Sequence, residues 1–270
     1  MSDDKPALPA LVPASDSLSN LRHYTAARVA LGRAGNALPT AAHLKFTLDH
    51  ARARDAVWSA VDGGRLRTAL EARGFRVATV HSLAEDRATY VRRPDLGRRI
   101  APEAAAALAD ALGPCRLVVV VADGLSAAAV EANVLPTLDA LAPRLAADGN
   151  AVDAVVVVEQ GRVAVGDPIG AVLKADLAIV LIGERPGLTS ADSLGCYLTF
   201  RPREGLADSA RNCVSNIRPD GLAPADAAYK IAWLAREALR REISGIDLKE
   251  ESAAELTAAK RAETKVVGTD

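Results

Sequence analysis

The sequence predicts an α/β fold, a Rossmann-like parallel sheet with helices on both faces, preceded by a small, mainly helical N-terminal unit. Three segments in the second half are continuously apolar, which is typical of strands buried on both faces of a parallel sheet. They are residues 117–121, 155–158 and 177–182. Segments with helical spacing of apolar residues alternate with these strands, as the crossovers of a parallel sheet require.

The composition fits a soluble protein with a core. Of the 270 residues, 50% are hydrophobic and 25% are charged, which is ordinary for a globular chain. Lys and Arg number 33 against 34 Asp and Glu, giving a net charge of -1. The chain as a whole therefore lacks the positive field that drives nucleic-acid binding. Only 3% of residues are aromatic, which also argues against a base-stacking surface.

The cysteines and the first residues bear on location. Cys115, Cys196 and Cys213 are odd in number and widely spaced, which favours reduced thiols over a disulfide framework or a zinc site. The first 20 residues lack a basic segment followed by an apolar one, and no run approaches the roughly 18 apolar residues that span a bilayer. We expect a cytoplasmic chain without an export signal or a membrane segment.

The first hundred residues divide into a tail and a unit. Residues 1–20 are rich in Pro, Ser and Asp and are predicted to form a flexible tail. Residues 21–100 are predicted to form the mainly helical unit. Its first helix begins near Thr40 and carries an apolar face at Ala41, Leu44, Leu48 and Ala51. A turn at Asp62-Gly63-Gly64, a helix over residues 66–73 and a strand over 75–80 follow.

A basic, turn-rich segment, residues 92–99, ends this unit and places a boundary near residue 100. Residues 101–248 are predicted to form the Rossmann-like domain. Its elements are a helix over 102–112, a strand over 116–122, a helix over 126–147, a strand over 152–158, a short helix near 168–173, strands over 177–182 and 196–200, and a closing helix over 224–243. Residues 249–270 are predicted to be a solvated tail.

Three turns are candidates for a site, because ligands of open parallel sheets bind at the carboxyl ends of the strands. In residues 122–126, Asp123, Gly124 and Ser126 fit a capped helix start better than a ligand site. In residues 183–188, a structural pair of Glu184 with Arg185 and a polar ligand contact are equally compatible with the sequence. Residues 211–219 are too polar for a buried strand, and a binding loop and plain surface both stay open.

The usual catalytic and nucleotide motifs are missing from the sequence. No GxGxxG follows a strand and no GxxxxGK[ST] occurs, so the sheet is not by itself evidence for NAD or ATP. No GxSxG occurs, and the four histidines all lie within the first 81 residues without the spacing of metal ligands. The residues alone predict a polar crevice without a self-sufficient catalytic constellation, and no metal site.

Five segments within about residues 25–245 form a combination that is far more specific than a single glycine motif. The segments are Ala27-Arg28-Val29-Ala30-Leu31-Gly32-Arg33-Ala34-Gly35, Leu48-Asp49-His50-Ala51-Arg52-Ala53-Arg54-Asp55-Ala56-Val57, Ala122-Asp123-Gly124-Leu125-Ser126, Gly183-Glu184-Arg185-Pro186-Gly187 and Cys213-Val214-Ser215-Asn216-Ile217-Arg218. In this order they resemble the light chain (small subunit) of ethanolamine ammonia-lyase.

The resemblance implies a subunit of an adenosylcobalamin-dependent lyase that converts ethanolamine to acetaldehyde and ammonia by a radical mechanism. It implies that the large subunit, a TIM barrel, carries the substrate site and most catalytic groups. This chain would supply cobalamin contacts at Val163, Glu184 and Cys213, with no catalytic residue of its own. In this family the complex holds six large and six small chains, and no nucleic acid or membrane is involved.

Several details of this expectation depend on further features. No DxHxxG segment occurs, so the cofactor is expected to keep its own dimethylbenzimidazole ligand, the base-on form. The arginines around Arg52 and Arg54 are a candidate contact with the large chain. Residues 7–21 show only a weak amphipathic pattern, so cargo status in a bacterial microcompartment stays open.

Two alternatives also stay open at this point. One is an independent α/β enzyme that uses the turns of Asp123, Glu184 and Cys213. The other is a non-catalytic scaffold subunit that binds no cobalamin.

Overall fold

The computed structural model describes residues 19–25 and 27–253. One six-stranded sheet in the order β1-β3-β2-β4-β5-β6 organises the described chain. The α/β class predicted from the sequence is confirmed. The strands are β1 Val77–His81, β2 Leu117–Ala122, β3 Ala154–Glu159, β4 Leu177–Gly183, β5 Leu194–Phe200 and β6 Asn212–Ile217.

The helices connect and cover these strands. They are α1 Thr40–Trp58, α2 Gly63–Glu71, α3 Arg87–Arg92, α4 Pro102–Leu112, α5 Ala127–Ala147, α6 Gly166–Val172 and α7 Pro224–Arg241. Pro102 begins α4 because its fixed φ suits a first helical position, and Ser126 caps α5 by accepting the Ala129 N–H at 3.1 Å. Among the described residues, no helix combines the length and the apolar character needed to cross a membrane.

The sheet is mixed, which corrects the prediction of a parallel sheet for its last two strands. β1, β3, β2 and β4 are parallel to one another, whereas β5 pairs antiparallel with β4, and β6 antiparallel with β5. The reason is the connections. Parallel neighbours need a crossover of a dozen or more residues, usually a helix, and no α-helix lies between β4 and β5 or between β5 and β6.

Helices cover both faces of the sheet, as predicted. Along β2, Leu117, Val119 and Val121 belong to one apolar cluster with residues of α2, α5 and α7. The alternate residues Val118 and Val120 belong to a second cluster with residues of α4 and α6. Because successive side chains of a strand point to opposite faces, β2 is buried on both sides, which explains its uninterrupted valines.

The predicted boundary near residue 100 stays a prediction. β1 precedes it and pairs with β3, which follows it, with Val80 opposite Val158, so the sheet is continuous across this point. The predicted turn at Asp62-Gly63-Gly64 is instead a helix start, because Asp62 caps α2 by accepting the Arg65 N–H at 2.9 Å.

The two predicted tails lie mostly outside the described residues, which leave out 1–18 and 254–270. The described start of the predicted C-terminal tail packs against α7. Lys230 forms a salt bridge with Glu250 at 2.6 Å, and Ser252 is buried.

Helix α1 begins at Thr40 as predicted, but its predicted apolar face is exposed. Leu44 and Leu48 are 62% and 50% exposed, while the buried residues of α1 are Asp49 and Ala56. Periodicity identifies an apolar face but not what covers it. Seven of the nine large hydrophobic residues that are exposed in the described chain lie between Leu21 and Trp58.

The ends of β2 and β4 meet through backbone contact. Leu125 N–H donates to the Gly183 carbonyl at 2.9 Å, and Gly124 adopts a positive φ of 58°, a conformation that favours glycine. A Cβ at Gly183 would lie 2.6 Å from the Asp123 carbonyl oxygen and closer still to that of Ser126. Neither glycine therefore tolerates a side chain.

We expect Gly183→Ala to destabilise the protein by about 1–3 kcal/mol, since overpacking forces the backbone apart. The measurement is thermal unfolding of the purified chain. Gly64→Ala is the matched control, because its Cβ would meet only the Asp62 side chain at an ordinary 3.5 Å and alanine favours a helix. An unchanged melting temperature for Gly183→Ala would contradict the close contact.

Candidate functional site

Two adjoining clefts lie at the carboxyl end of the parallel strands. We name them the Glu184 cleft and the Cys213 cleft, with volumes of about 390 and 340 Å³. Arg162, Val163 and Tyr197 line both, so the two form one continuous groove. The Glu184 cleft is also lined by Tyr90, Gly124, Leu125, Ile182, Gly183, Glu184 and Arg185. The Cys213 cleft is also lined by Pro94, Arg98, Ala164, Asp208, Arg211 and Cys213.

The groove brings together the three residues predicted as cofactor contacts. Val163 begins a short 3₁₀ turn after β3, is half-buried and lines both clefts. Glu184 directly follows β4 and lines the first cleft. Cys213 lies on β6 and lines the second. These residues are 50 positions apart from end to end in the sequence, yet they share one surface.

The expectation of a binding loop at residues 211–219 is wrong in its secondary structure. Asn212–Ile217 is the edge strand β6, in which Val214 and Ile217 are buried while Cys213, Ser215 and Asn216 are exposed. An edge strand of an antiparallel pair can be solvated on one side, so a polar segment is compatible with a strand here.

Glu184 presents a carboxylate whose two oxygens differ. Oε2 accepts the Ser193 hydroxyl at 2.5 Å and the Asn216 N–H at 3.3 Å. Oε1 forms no hydrogen bond with any described residue, and Glu184 forms no ion pair there with Arg185 or another cation. Of the two interpretations of this turn, a structural Glu–Arg pair is therefore absent from the described chain. Gly195 makes room for the side chain, because a Cβ there would lie 2.9 Å from Oε1.

Tyr197 and Cys213 lie opposite each other on β5 and β6. Both line the Cys213 cleft, and Tyr197 also lines the Glu184 cleft. Burial raises the pKa of the Tyr197 phenol, and the neighbouring Cys213 and Glu184 raise it further. Partial burial also raises the pKa of the Cys213 thiol, although a hydrogen bond with Tyr197 acts in the opposite direction and lowers that pKa. Both groups are therefore neutral near pH 7, and because they share a hydrogen bond, one hydrogen of the pair remains to be donated to a ligand.

Arg162 is held in a fixed position at the junction of the clefts. Its guanidinium carbon lies 4.0 Å from the centre of the Tyr90 ring, and its Nη2 donates to the Tyr90 carbonyl at 3.0 Å. A Cβ at Gly97 would lie 2.8 Å from the Arg162 Cγ, so glycine is needed for the side chain to pass. Sequence reasoning missed Arg162, Tyr90 and Tyr197, because only the pairing of distant elements places them here.

Asp123 has a structural role, which agrees with the preferred interpretation of its turn. It is 4% exposed and accepts the backbone N–H groups of Gln160 at 3.1 Å and Gly161 at 2.9 Å. Arg87 donates to it at 3.3 Å. Burial raises the pKa of the Asp123 carboxyl, while Arg87 and the backbone donors oppose that rise. Its oxygens point to the protein rather than to a ligand.

A buried ion pair supports the floor of the Cys213 cleft. Arg211 Nη1 and Nη2 donate to the two Asp167 oxygens at 2.5 and 2.7 Å, and both side chains are at most 5% exposed. Such a bidentate pair fixes geometry as well as charge. It joins the residue that precedes β6 to α6, which directly follows the turn that carries Val163.

No group of three or more His, Cys, Asp or Glu that could hold a metal ion occurs among residues 19–25 and 27–253. The groove offers instead the unpaired Oε1 of Glu184, the exposed carboxylate of Asp208, neutral side chains and several arginines. The acceptors and neutral donors suit the amide groups of a ligand, and the arginines suit a negatively charged group on it.

The comparisons with known proteins agree on one family. Residues 15–249 match the family model described as ethanolamine ammonia-lyase light chain (EutC). An ethanolamine ammonia-lyase small subunit of Azotobacter vinelandii is 52% identical over 256 residues, which cover 93% of each chain. The protein of the same name from Bradyrhizobium diazoefficiens is 55% identical over 236 residues, 87% of this chain and 90% of that one.

A third relative of the same name, from Rhodopseudomonas palustris, is 52% identical over 250 residues, which cover 92% of this chain and 96% of its own. Identities at this level over nearly the whole of both chains leave no room for a different family. This chain belongs to the ethanolamine ammonia-lyase light-chain family, and is thus a lyase subunit by family.

Proposed function

We propose that this chain covers the adenosylcobalamin site of a radical ethanolamine ammonia-lyase that converts ethanolamine to acetaldehyde and ammonia. The observation that carries the proposal is the placement of Val163, Glu184 and Cys213 on the walls of adjoining clefts. These are the residues that the family resemblance selects from the sequence alone. The substrate site is assigned to the large subunit.

The donor set of the groove fits a corrinoid. A corrin ring is rimmed with carboxamides, which need both acceptors and donors. Glu184 Oε1 is an acceptor without a hydrogen-bond partner among the described residues. Gly195 leaves room for this oxygen, because a side chain there would collide with it. Tyr197 and Cys213 together supply a neutral donor. Each cleft alone is much smaller than a corrinoid, and the groove as a whole is open, which supports a site completed by another chain.

Within the complex this chain would bind and orient. When bound, adenosylcobalamin supplies radical chemistry through homolysis of its cobalt–carbon bond. Glu184 would accept an amide N–H, and the backbone beside Val163 would contact the ring edge. Cys213 would be a contact and not a nucleophile, because its raised pKa keeps the thiol protonated. Since no DxHxxG segment occurs, we propose that the cofactor keeps its dimethylbenzimidazole ligand.

The large subunit is the partner that a small subunit implies, and α1 is the surface that we assign to it. Leu44, Leu48 and Arg52 follow one another at intervals of four and lie on one exposed side of the helix. Arg54 is also exposed. An exposed apolar stripe of this kind marks a binding surface. Its cations oppose pairing with a second copy of the same helix and favour an acidic partner surface.

The stoichiometry of six large and six small chains is part of the same proposal. So is a cytoplasmic location, either free or inside a microcompartment. Nearly all of the segment considered for a targeting signal, residues 7–21, lies outside the described residues.

Reconstitution tests the proposed function directly. Co-expression with an ethanolamine ammonia-lyase large subunit, followed by addition of adenosylcobalamin and ethanolamine, is expected to yield acetaldehyde only when both chains are present. Activity of this chain alone would favour the independent enzyme. Full activity of the large subunit alone would favour the scaffold.

Glu184→Ala is expected to weaken adenosylcobalamin binding by the assembled complex about tenfold, the effect of losing one hydrogen bond to a charged group. Assembly with the large subunit should stay unchanged, since Glu184 lines the cleft and not α1. Equilibrium titration of the complex measures the affinity. Glu204→Ala, at an exposed carboxylate outside both clefts, is the control. Equal affinities of the two variants would remove Glu184 from the site.

The double substitution Leu44→Asp with Leu48→Asp is expected to weaken association with the large subunit at least about tenfold, because charge replaces apolar surface that the partner buries. Affinity copurification and analytical ultracentrifugation measure the loss. Ile246→Asp is the matched control, since Ile246 is 74% exposed but distant from α1 in the sequence.

Charge reversal at Arg52 and Arg54 examines the polar part of the same surface. We expect reduced copurification at low salt. If both sets of variants associate as the unmodified chain does, α1 is not the contact.

A further inference from the structure

Two arginines of the groove have no ionic partner among the described residues, although the carboxylates of Glu184 and Asp208 also line it. Arg162 lines both clefts and Arg98 lines the Cys213 cleft, and neither forms an ion pair with a described residue. Arg211 differs, because Asp167 holds both of its terminal nitrogens. Two cations thus remain available in the groove, Arg162 at the junction of the clefts and Arg98 in the Cys213 cleft.

The side chain of Arg162 is partly buried and held in one orientation by its neighbours. The Tyr90 ring and the Tyr90 carbonyl fix its guanidinium, and the ring is itself immobile, since Tyr90 is fully buried with its hydroxyl on the Gly161 carbonyl at 3.1 Å. Arg162 Nε is buried without a hydrogen-bond partner, and Nη1 forms no hydrogen bond with the described residues. A planar cation held in this way is pre-organised to bind an anion.

Nearby carboxylates form no ion pair with Arg162. Asp208 also lines the Cys213 cleft, but its cationic partner is Arg211, at 3.6 Å. Asp123, the buried acid of this region, is occupied by Arg87 and two backbone donors. Burial lowers the pKa of Arg162, and the positive charges of Arg87 and Arg98 lower it further, whereas Tyr90 and, more weakly, Asp123 raise it. A bound anion would offset this repulsion.

We propose that Arg162, with Arg98, binds the phosphodiester of the cofactor's nucleotide loop in the Cys213 cleft. The assignment rests on the proposed function and deepens it. Among the parts of adenosylcobalamin, the corrin side chains are neutral amides and the phosphodiester carries the negative charge. Arginine recognises phosphate oxygens through its planar donors. The location beside Cys213 places this contact next to the proposed corrin contacts, in the same groove.

The test compares two corrinoids that differ in the nucleotide loop. Adenosylcobalamin has the phosphodiester, and adenosylcobinamide lacks it. In the complex with the large subunit, Arg162→Gln is expected to weaken adenosylcobalamin binding about tenfold or more and to change adenosylcobinamide binding by less than twofold. Arg98→Gln, at an exposed side chain that can be changed without disturbing the fold, should show the same selectivity with a smaller effect.

Arg99→Gln is the matched control, because Arg99 is exposed and lines neither cleft. Equal weakening of both corrinoids by Arg162→Gln, or no weakening of either, overturns the proposal. If the unmodified complex binds neither corrinoid, the proposed function itself fails, which is a different result.

A second measurement applies if adenosylcobinamide binds too weakly to titrate. The affinity for adenosylcobalamin is then measured against salt concentration. Screening weakens an arginine–phosphate contact, so we expect Arg162→Gln to show a shallower salt dependence than Arg99→Gln. Identical dependence overturns the assignment. Competition with inorganic phosphate gives a further measurement. We expect phosphate to compete with adenosylcobalamin for the unmodified complex but not for the Arg162→Gln complex. Equal competition in the two complexes, or none in either, would count against an anion site at this position.

Discussion

The buried carboxylate of Asp123 is the constraint on which the groove depends. It leaves the end of β2 and accepts the backbone N–H groups of Gln160 and Gly161, so it determines how the chain turns after β3. Arg162 and Val163 leave from that turn. Through Arg87 the same carboxylate is linked to α3, which carries Tyr90, the aromatic ring beneath Arg162. Burial disfavours the ionised form of the Asp123 carboxyl, and the positive charge of Arg87 and the backbone hydrogen bonds offset this cost.

The second constraint is the change of strand direction at the edge of the sheet. If β5 and β6 ran parallel to β4, as the sequence suggests, Tyr197 and Cys213 would require helical crossovers and different neighbours. The antiparallel pairs instead place Tyr197 opposite Cys213 and let Ser193 and Asn216 hold the Glu184 carboxylate. Two short antiparallel strands therefore build the wall that a wholly parallel sheet would lack.

The parts of the fold that depend on local signals could be predicted from the sequence. Pro102 marks the start of α4, and the valines of β2 identify a strand buried on both faces. β6 was missed as a strand because an exposed edge carries polar residues on one side. Arg162 and Tyr197 were missed because their role depends on which strands become neighbours. The family resemblance selected Val163, Glu184 and Cys213, and the sheet order then explains why residues so far apart in sequence share a surface.

The exposed apolar side of α1 lies close to the groove in the structure. Arg28 joins α1 to the segment after Glu184, since its Nη2 donates to Asp49 at 2.7 Å and to the Leu188 carbonyl at 3.4 Å. A third cleft, of about 550 Å³, lies between Lys45 and Arg52 of α1 and the residues from Leu188 to Asp192. The exposed helix therefore adjoins the connection that leaves the Glu184 cleft. A large subunit that buries α1, as proposed, would lie beside the open groove, so the same association would attach this chain and close the proposed cofactor site from water.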